Sequence, residues 1–252
     1  MESELTNAEY WSQVWSELNL PPPINPTSSP FIRELCDFLR QALDGRSGSL
    51  MEIGCGSSRW LPYFSKLGFE VAGIDYSAEG CRQAQMILDR ERINADILER
   101  DAFTPNPDLV AKFDVVVSLG VIEHFRDTEG TVRAFSRYLK PGGLLISTCP
   151  NMAGLLGLSQ RLLNRPVYDR HVPLTAEHLR KAHESAGLTV KNCSYIGSLD
   201  FHVVNLHEVT RFDKRQAHRV LMRLSRIGWK LPIRLKRGRL FSSYVGCAAQ
   251  RS

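Results

Sequence analysis

No stretch of these 252 residues approaches the ~18 consecutive apolar residues that a helical membrane span requires. The opening Met1-Glu2-Ser3-Glu4 is acidic and lacks an apolar run behind it, so no secretory signal is expected. Cysteines are few and scattered (36, 55, 81, 149, 193 and 247), with no Cys-x-x-Cys pair. That pattern suits buried thiols in a reducing cytoplasm and argues against disulfides and zinc. His202, His207 and His218 match no ligand spacing such as His-Glu-x-x-His, so no metal is expected. Internal repeats and low-complexity segments are also lacking. A composition of 43% hydrophobic and 23% charged residues is that of an ordinary globular domain.

Charge of one sign is scarce at one end. Residues 201–252 hold twelve Lys/Arg against Glu208 and Asp213 alone, a balance of +10. The chain total is +5, so the first 200 residues are net acidic.

The most informative stretch is Leu50-Met51-Glu52-Ile53-Gly54-Cys55-Gly56-Ser57-Ser58-Arg59-Trp60. An apolar run closed by glycines reads as a buried strand, and Trp60, Leu61, Tyr63, Phe64 and Leu67 then repeat at helical spacing. Strand, glycine turn, helix opens a nucleotide-binding α/β unit. The alternation continues with strands over 70–75, 95–100, 113–118 and 144–149 and helices over 77–92 and 128–139. It predicts a doubly wound, mostly parallel sheet with right-handed crossovers.

Asp75 stands 21 residues after Gly54 at the end of the second strand, where a carboxylate accepts from both hydroxyls of a ribose. A dinucleotide fold would place a third glycine where Arg59 stands, and its bulk obstructs close helix–strand packing. A cofactor with a ribose and adenine but no pyrophosphate fits better.

Six motifs follow one another in order: Glu52-Ile53-Gly54-Cys55-Gly56, Gly73-Ile74-Asp75-Tyr76-Ser77, Arg100-Asp101-Ala102, Phe113-Asp114-Val115-Val116, Gly120-Val121-Ile122-Glu123-His124 and Leu139-Lys140-Pro141-Gly142-Gly143. In that order the chain resembles a class I S-adenosylmethionine-dependent methyltransferase over residues 31–200, with Tyr244–Ala248 similar to the family's last strand. The resemblance implies an α/β, doubly wound, seven-stranded Rossmann-like sheet and S-adenosyl-L-methionine as cofactor. It also implies roles. Gly54, Cys55 and Gly56 border the methionine part, with Glu52 beneath them; Asp75 takes the ribose and Tyr76 lies against the adenine. Asp101 and Ala102 meet the adenine amino group, and Ser118, Leu119 and Gly120 line the far side of the methionine. Ser58 stands where the family often has a third glycine, which puts the loop geometry in question.

Such a cofactor carries an activated methyl group, so the protein's task is to bring a nucleophile in line. For a hydroxyl nucleophile a base helps, and histidine is the first candidate. His124 and His171 are the two candidates, each weighed against a role in packing or fixing a loop, and Glu123 reads as structural. His178 and His183 fall at helical positions expected to be solvated. Tyr168 to Thr175 is similar to the substrate-side loop of the small-molecule branch, which includes the ubiquinone-biosynthesis O-methyltransferases.

The organisation expected is one methyltransferase domain: an N-terminal helix and Pro-rich loop (1–30), the core (31–200), a basic helical insertion (201–238) and the last strand (239–252). Asn7 to Leu18 reads as a helix with a Thr6/Glu9 capping box, serving either as core cover or as a lid over the ligand. Residues 211–231 place Ala217, Val220, Leu221, Leu224, Ile227 and Leu231 on one stripe among arginines. That pattern fits a helix packed over the substrate, a helix lying on an anionic membrane, or, with few aromatics to stack bases, a nucleic-acid patch. The function expected is methyl transfer to a small organic acceptor, most readily at oxygen, by a cytoplasmic enzyme with peripheral membrane contact as the variant location. N- or C-methylation, a lipid-like acceptor and RNA methylation are the alternatives.

Overall fold

The computed structural model describes residues 4–104, 106–206, 209, 213–230 and 237–252. Seven strands form one sheet: β1 (Gly48–Ile53), β2 (Phe69–Asp75), β3 (Asp96–Glu99), β4 (Phe113–Leu119), β5 (Leu139–Pro150), β6 (Leu188–Ile196) and β7 (Tyr244–Arg251). Their order is β3-β2-β1-β4-β5-β7-β6, with β7 antiparallel to both neighbours and the first five strands parallel. The seven-stranded α/β expectation is met. From β1 the chain runs outward to β2 and β3, then returns to β4 on the other side of β1. The strand order therefore reverses between β1 and β4, and the crevice beyond their carboxyl ends is where such sheets bind ligands.

Helices cover both faces: α2 (Pro30–Leu43), α3 (Trp60–Lys66) and α4 (Ala78–Glu91), then α5 (Thr128–Ser136) and α8 (Ala176–Ser185). The valines of β4 show why. Val115 and Val117 join Leu39, Phe64 and Leu88 in one core layer. Val116 joins Ile74, Phe135 and Leu145 in the other. A strand apolar on successive residues is buried on both faces, because its side chains alternate.

Several local expectations are corrected. β5 begins at Leu139, so Lys140–Gly143 belongs to the strand and does not merely end a helix. Gly142 takes φ +77° there, and the register against β4 shifts between Phe113 and Val115. The N-terminal helix, α1 (Ala8–Ser16), is capped by Asn7, whose side chain accepts from the Tyr10 N–H. Thr6 instead accepts from Trp11 Nε1 at 3.0 Å. His183 is fully buried and not solvated; its Nδ1 donates to the Leu179 carbonyl at 2.7 Å, and Ser147 Oγ lies 3.2 Å from Nε2.

Two short helices, α6 (Leu155–Leu163) and α7 (Arg165–Asp169), follow β5, and α9 (Lys214–Gly228) precedes β7. The expected ends of the last helix, Arg211 and Leu231, lie outside the described residues, as do Arg234, Lys236 and His207. α9 packs in a separate cluster with Leu156, Leu199, Phe201 and Val204 through Leu221. Its inward face sets two small residues, Ser225 and Gly228, beside Leu221. Ser225 Oγ donates to the Leu221 carbonyl and accepts from the Phe201 N–H, and Gly228 rests so close to Leu199 that a Cβ would fall 2.7 Å from its carbonyl oxygen. Val220, Leu224 and Ile227 therefore stay exposed, at 54%, 42% and 62%. Among the described residues, no helix is long and apolar enough to cross a membrane.

Candidate active site

The loop after β1 builds the floor of a cavity. Gly54 takes φ +76° and Ser57 φ +50°, the second a left-handed turn that a side chain enters only at some cost. Gly56 must lack a Cβ: one placed there would lie 2.6 Å from Trp15 Nε1 and 3.0 Å from Asp75 Oδ2. Its N–H donates to Asp75 Oδ2 at 2.8 Å, and the Ser77 N–H donates to Oδ1 at 2.8 Å. Asp75 is thus locked from two sides. The carboxylate keeps acceptor capacity beyond these backbone donors for a ligand hydroxyl. Burial raises its pKa, and the N–H donors of Ser77, Gly56 and Tyr76 offset part of that rise.

Ser58 settles the question raised by the missing third glycine. Its hydroxyl donates to Glu52 Oε2 at 2.6 Å and accepts from the Trp60 N–H at 3.0 Å, tying the loop to β1 and to the start of α3. Glu52 is buried, and desolvation lifts its pKa to about 8, against the lowering effect of the Ser58 bond. A carboxyl in that state ionises readily when a cation comes beside it.

The cavity encloses about 240 Å³. Glu52, Gly54, Gly56, Asp75, Tyr76, Asp101, Ala102, Leu119, Gly120 and His124 all line it. Three expected residues do not. Ser118 is fully buried, since strand alternation turns it from the face Leu119 presents. Cys55 points under the loop against Gly73, where a Cβ would meet its Sγ at 2.6 Å. His171 sits behind His124, with ring centroids 4.6 Å apart.

The sequence reading assigned no site role to several further residues of the wall. Trp11 and Trp15 of α1 line the cavity, and Arg100 and Arg59 stand in its wall. α1 is tied across the opening: Ser12 Oγ meets Ser77 Oγ at 2.9 Å, Gln83 Nε2 donates to the Trp15 carbonyl at 2.6 Å, and Trp11 packs edge-on to His124 at 5.2 Å. The sequence read α1 as core cover or as a lid, without showing which surface its tryptophans cover.

The histidine pair is held by main-chain carbonyls. His124 Nδ1 donates to the Arg170 carbonyl and His171 Nδ1 to that of Val167, both at 2.7 Å. Each ring keeps its lone pair on Nε2. Burial, with His171 beside it, holds the His124 pKa down to about 3, so the ring is neutral. Glu123 is buried too, its pKa lifted to about 8 by desolvation, and its Oε2 has no hydrogen-bond partner among the described residues. Glu123, His124 and His171 each bring one ligand-type atom within 4.8 Å of the others. The sequence reading sought a metal only among His202, His207 and His218, and took Glu123 as structural.

Comparison with known proteins gives this geometry its family. A family model described as a methyltransferase domain matches residues 30–192, more than half of the chain. The ubiquinone biosynthesis O-methyltransferase of Rhodopseudomonas palustris (strain BisA53) is 30% identical over 145 residues, covering 56% of each protein. The chain thus spans about half the length of the curated relatives it matches. Among solved structures, magnesium protoporphyrin IX methyltransferase from Synechocystis PCC 6803, with bound SAH, aligns with a TM-score of 0.60 at 13% identity over 97% of each chain. The 4+2 cyclase SpnF aligns with a TM-score of 0.63 at 13% identity over 99% of this chain and 96% of that one. Structural likeness at such identity shows the fold alone, and the fold hosts more than one chemistry. With the glycine cradle, the locked Asp75 and the family match together, the chain belongs to the class I S-adenosylmethionine-dependent methyltransferases.

Proposed function

We propose that this protein transfers the methyl group of S-adenosylmethionine to an oxygen of a small organic acceptor, with His124 receiving the hydroxyl proton. When bound, the cofactor supplies a sulfonium-activated methyl group. The chain's own part is to hold ribose at Asp75 and the amino-acid end at the Gly54–Ser58 loop, and to keep water out with Trp11 and Trp15. The observation that carries the reading is His124: a neutral ring lining the cavity, its tautomer fixed by the Arg170 carbonyl and its Nε2 free to accept. The burial that keeps the ring neutral also makes it a weak base. Proton transfer to such a base favours an acidic hydroxyl, such as a phenol, over an aliphatic alcohol. Replacement of His124 by Gln tests this: turnover on a phenolic acceptor falls about 10²–10⁴-fold, while affinity for the cofactor changes little. A loss of only a few-fold points to an acceptor that is already ionised, or to an amine.

A second reading rests on the unpartnered Oε2 of Glu123. Histidines that bind metal commonly donate their other ring N–H to a carbonyl, as both do here, and a buried carboxyl with a ligand atom within 4.8 Å of one on each ring suits a divalent cation. Inhibition by a chelator, reversed by a divalent ion in wild type but not in Glu123→Gln, supports it; chelator-insensitive turnover removes it.

For location, the exposed apolar residues Val220, Leu224 and Ile227 share α9 with exposed Arg215, Arg219, Arg223 and Arg226, and Leu158 and Leu162 of α6 are exposed as well. No residue of α9 lines the cavity, which weakens the helix-over-substrate reading and favours peripheral contact with anionic lipid.

A further inference from the structure

A second, smaller cavity of about 140 Å³ adjoins the first, and Arg59, Trp60 and Leu119 line both. Its other walls are apolar and aromatic, chiefly Phe31, Leu35 and Tyr244, with the Phe31 and Tyr244 rings 4.9 Å apart. Two polar groups interrupt them. Thr148 Oγ1 is buried without a partner among the described residues, and so is Arg59 Nε. The Arg59 guanidinium makes no hydrogen bond or ion pair with any described residue, although burial pulls its pKa down. An arginine does not deprotonate, so the fold holds an uncompensated, half-buried cation. Such a charge is costly to bury unless a partner arrives. Its planar fork of donors matches a carboxylate in bidentate fashion.

We propose that Arg59 is an anion anchor at the junction of the two cavities, taking a carboxylate carried by a molecule bound there. This rests on the methyltransferase reading above, which offers two sources of that group. One is the amino-acid end of the cofactor, which reaches the Gly54–Ser58 loop that Arg59 continues. The other is a carboxylate on an aromatic acceptor seated between Phe31, Trp60 and Tyr244.

Calorimetric titration of wild type, Arg59→Gln and Arg59→Lys separates the sources. The probes are S-adenosylhomocysteine, 5′-methylthioadenosine (which lacks the amino-acid end), and benzoate added to the S-adenosylhomocysteine-loaded protein. If the carboxylate is the cofactor's, Arg59→Gln weakens S-adenosylhomocysteine tenfold or more and leaves 5′-methylthioadenosine within twofold. If it is the acceptor's, S-adenosylhomocysteine is unchanged, while benzoate binds the loaded wild type and not Arg59→Gln. In either case Arg59→Lys, which keeps the charge but loses the fork, falls between the two, and it stands in should the Gln variant fail to fold. Equal weakening of both nucleosides, or no difference between variants with any probe, overturns the proposal while the methyltransferase reading stands. A wild-type protein that binds neither nucleoside removes both.

Discussion

Asp75 shows how one side chain can serve fold and ligand at once. Its carboxylate already accepts from Gly56 and Ser77, so the loop is set before any ribose arrives, and the remaining lone pairs need no reorganisation. Asp75→Ala removes both functions. It is expected to weaken S-adenosylmethionine binding by about 1.5–3 kcal/mol, as for charge-assisted hydrogen bonds. Calorimetry on the folded variant checks this, and unchanged affinity would remove the assignment. Glu52 gives a prediction of a different kind. Its folded pKa is about 8 and its ordinary value 4.5. Between those values the folded protein binds a proton that the unfolded chain has released, so stability falls as pH rises. One such group contributes a slope of up to about 1.4 kcal/mol per pH unit. Denaturant unfolding at pH 5.5 and pH 7.5 should show a smaller fall in Glu52→Gln than in wild type; equal falls would mean that Glu52 is ionised in the free protein.

At the scale of elements, what the sequence disclosed depended on how local the signal was. Strand β4 declared itself through Val115-Val116-Val117, because burial on both faces leaves no room for polar alternation. The cavity-lining loop after β1 was legible because glycines and an acidic residue at fixed spacing encode backbone geometry directly. The cover provided by α1 was only half legible: a helix was expected as core cover or lid, but its target, Gly56 after β1 and Gly80 of α4, is a contact of tertiary structure. If α1 closes the cavity, its tryptophans report on binding: Trp15→Ala should weaken cofactor binding and speed its release, whereas a helix serving only as core cover leaves both unchanged. The last helix went differently. Its apolar stripe suggested an inward face, yet Ser225 and Gly228 let another face approach closely, and close approach outweighed the stripe. If the exposed face meets lipid, co-sedimentation with anionic vesicles is strong in low salt and falls steeply as salt rises, because each surface arginine adds about 1 kcal/mol that ions screen. Changing Arg215, Arg219, Arg223 and Arg226 to Gln abolishes it without altering turnover of a soluble acceptor. Wild-type protein that ignores vesicles at both salt concentrations contradicts the membrane reading.

For the whole molecule, the sheet order and the reversal between β1 and β4 place a cofactor crevice where the motifs expected it. The acceptor side was not legible in the same way. The groups proposed to meet the acceptor, Glu123 and His124 after β4, His171 beyond α7 and the second cavity's walls from α2 and β7, are linked by no sequence spacing. The same distance in sequence hid Arg59 as an unpaired cation, since only the folded chain shows that no described acid reaches it. The most direct test of the account is therefore transfer itself. Methyl-labelled S-adenosylmethionine, incubated with the protein and fractionated cell extract, should place label in the small-molecule fraction, from a compound with a free acidic hydroxyl. Asp75→Ala should abolish that transfer at limiting cofactor. Label appearing in RNA, or no transfer to any fraction by a protein that binds the cofactor, would contradict it.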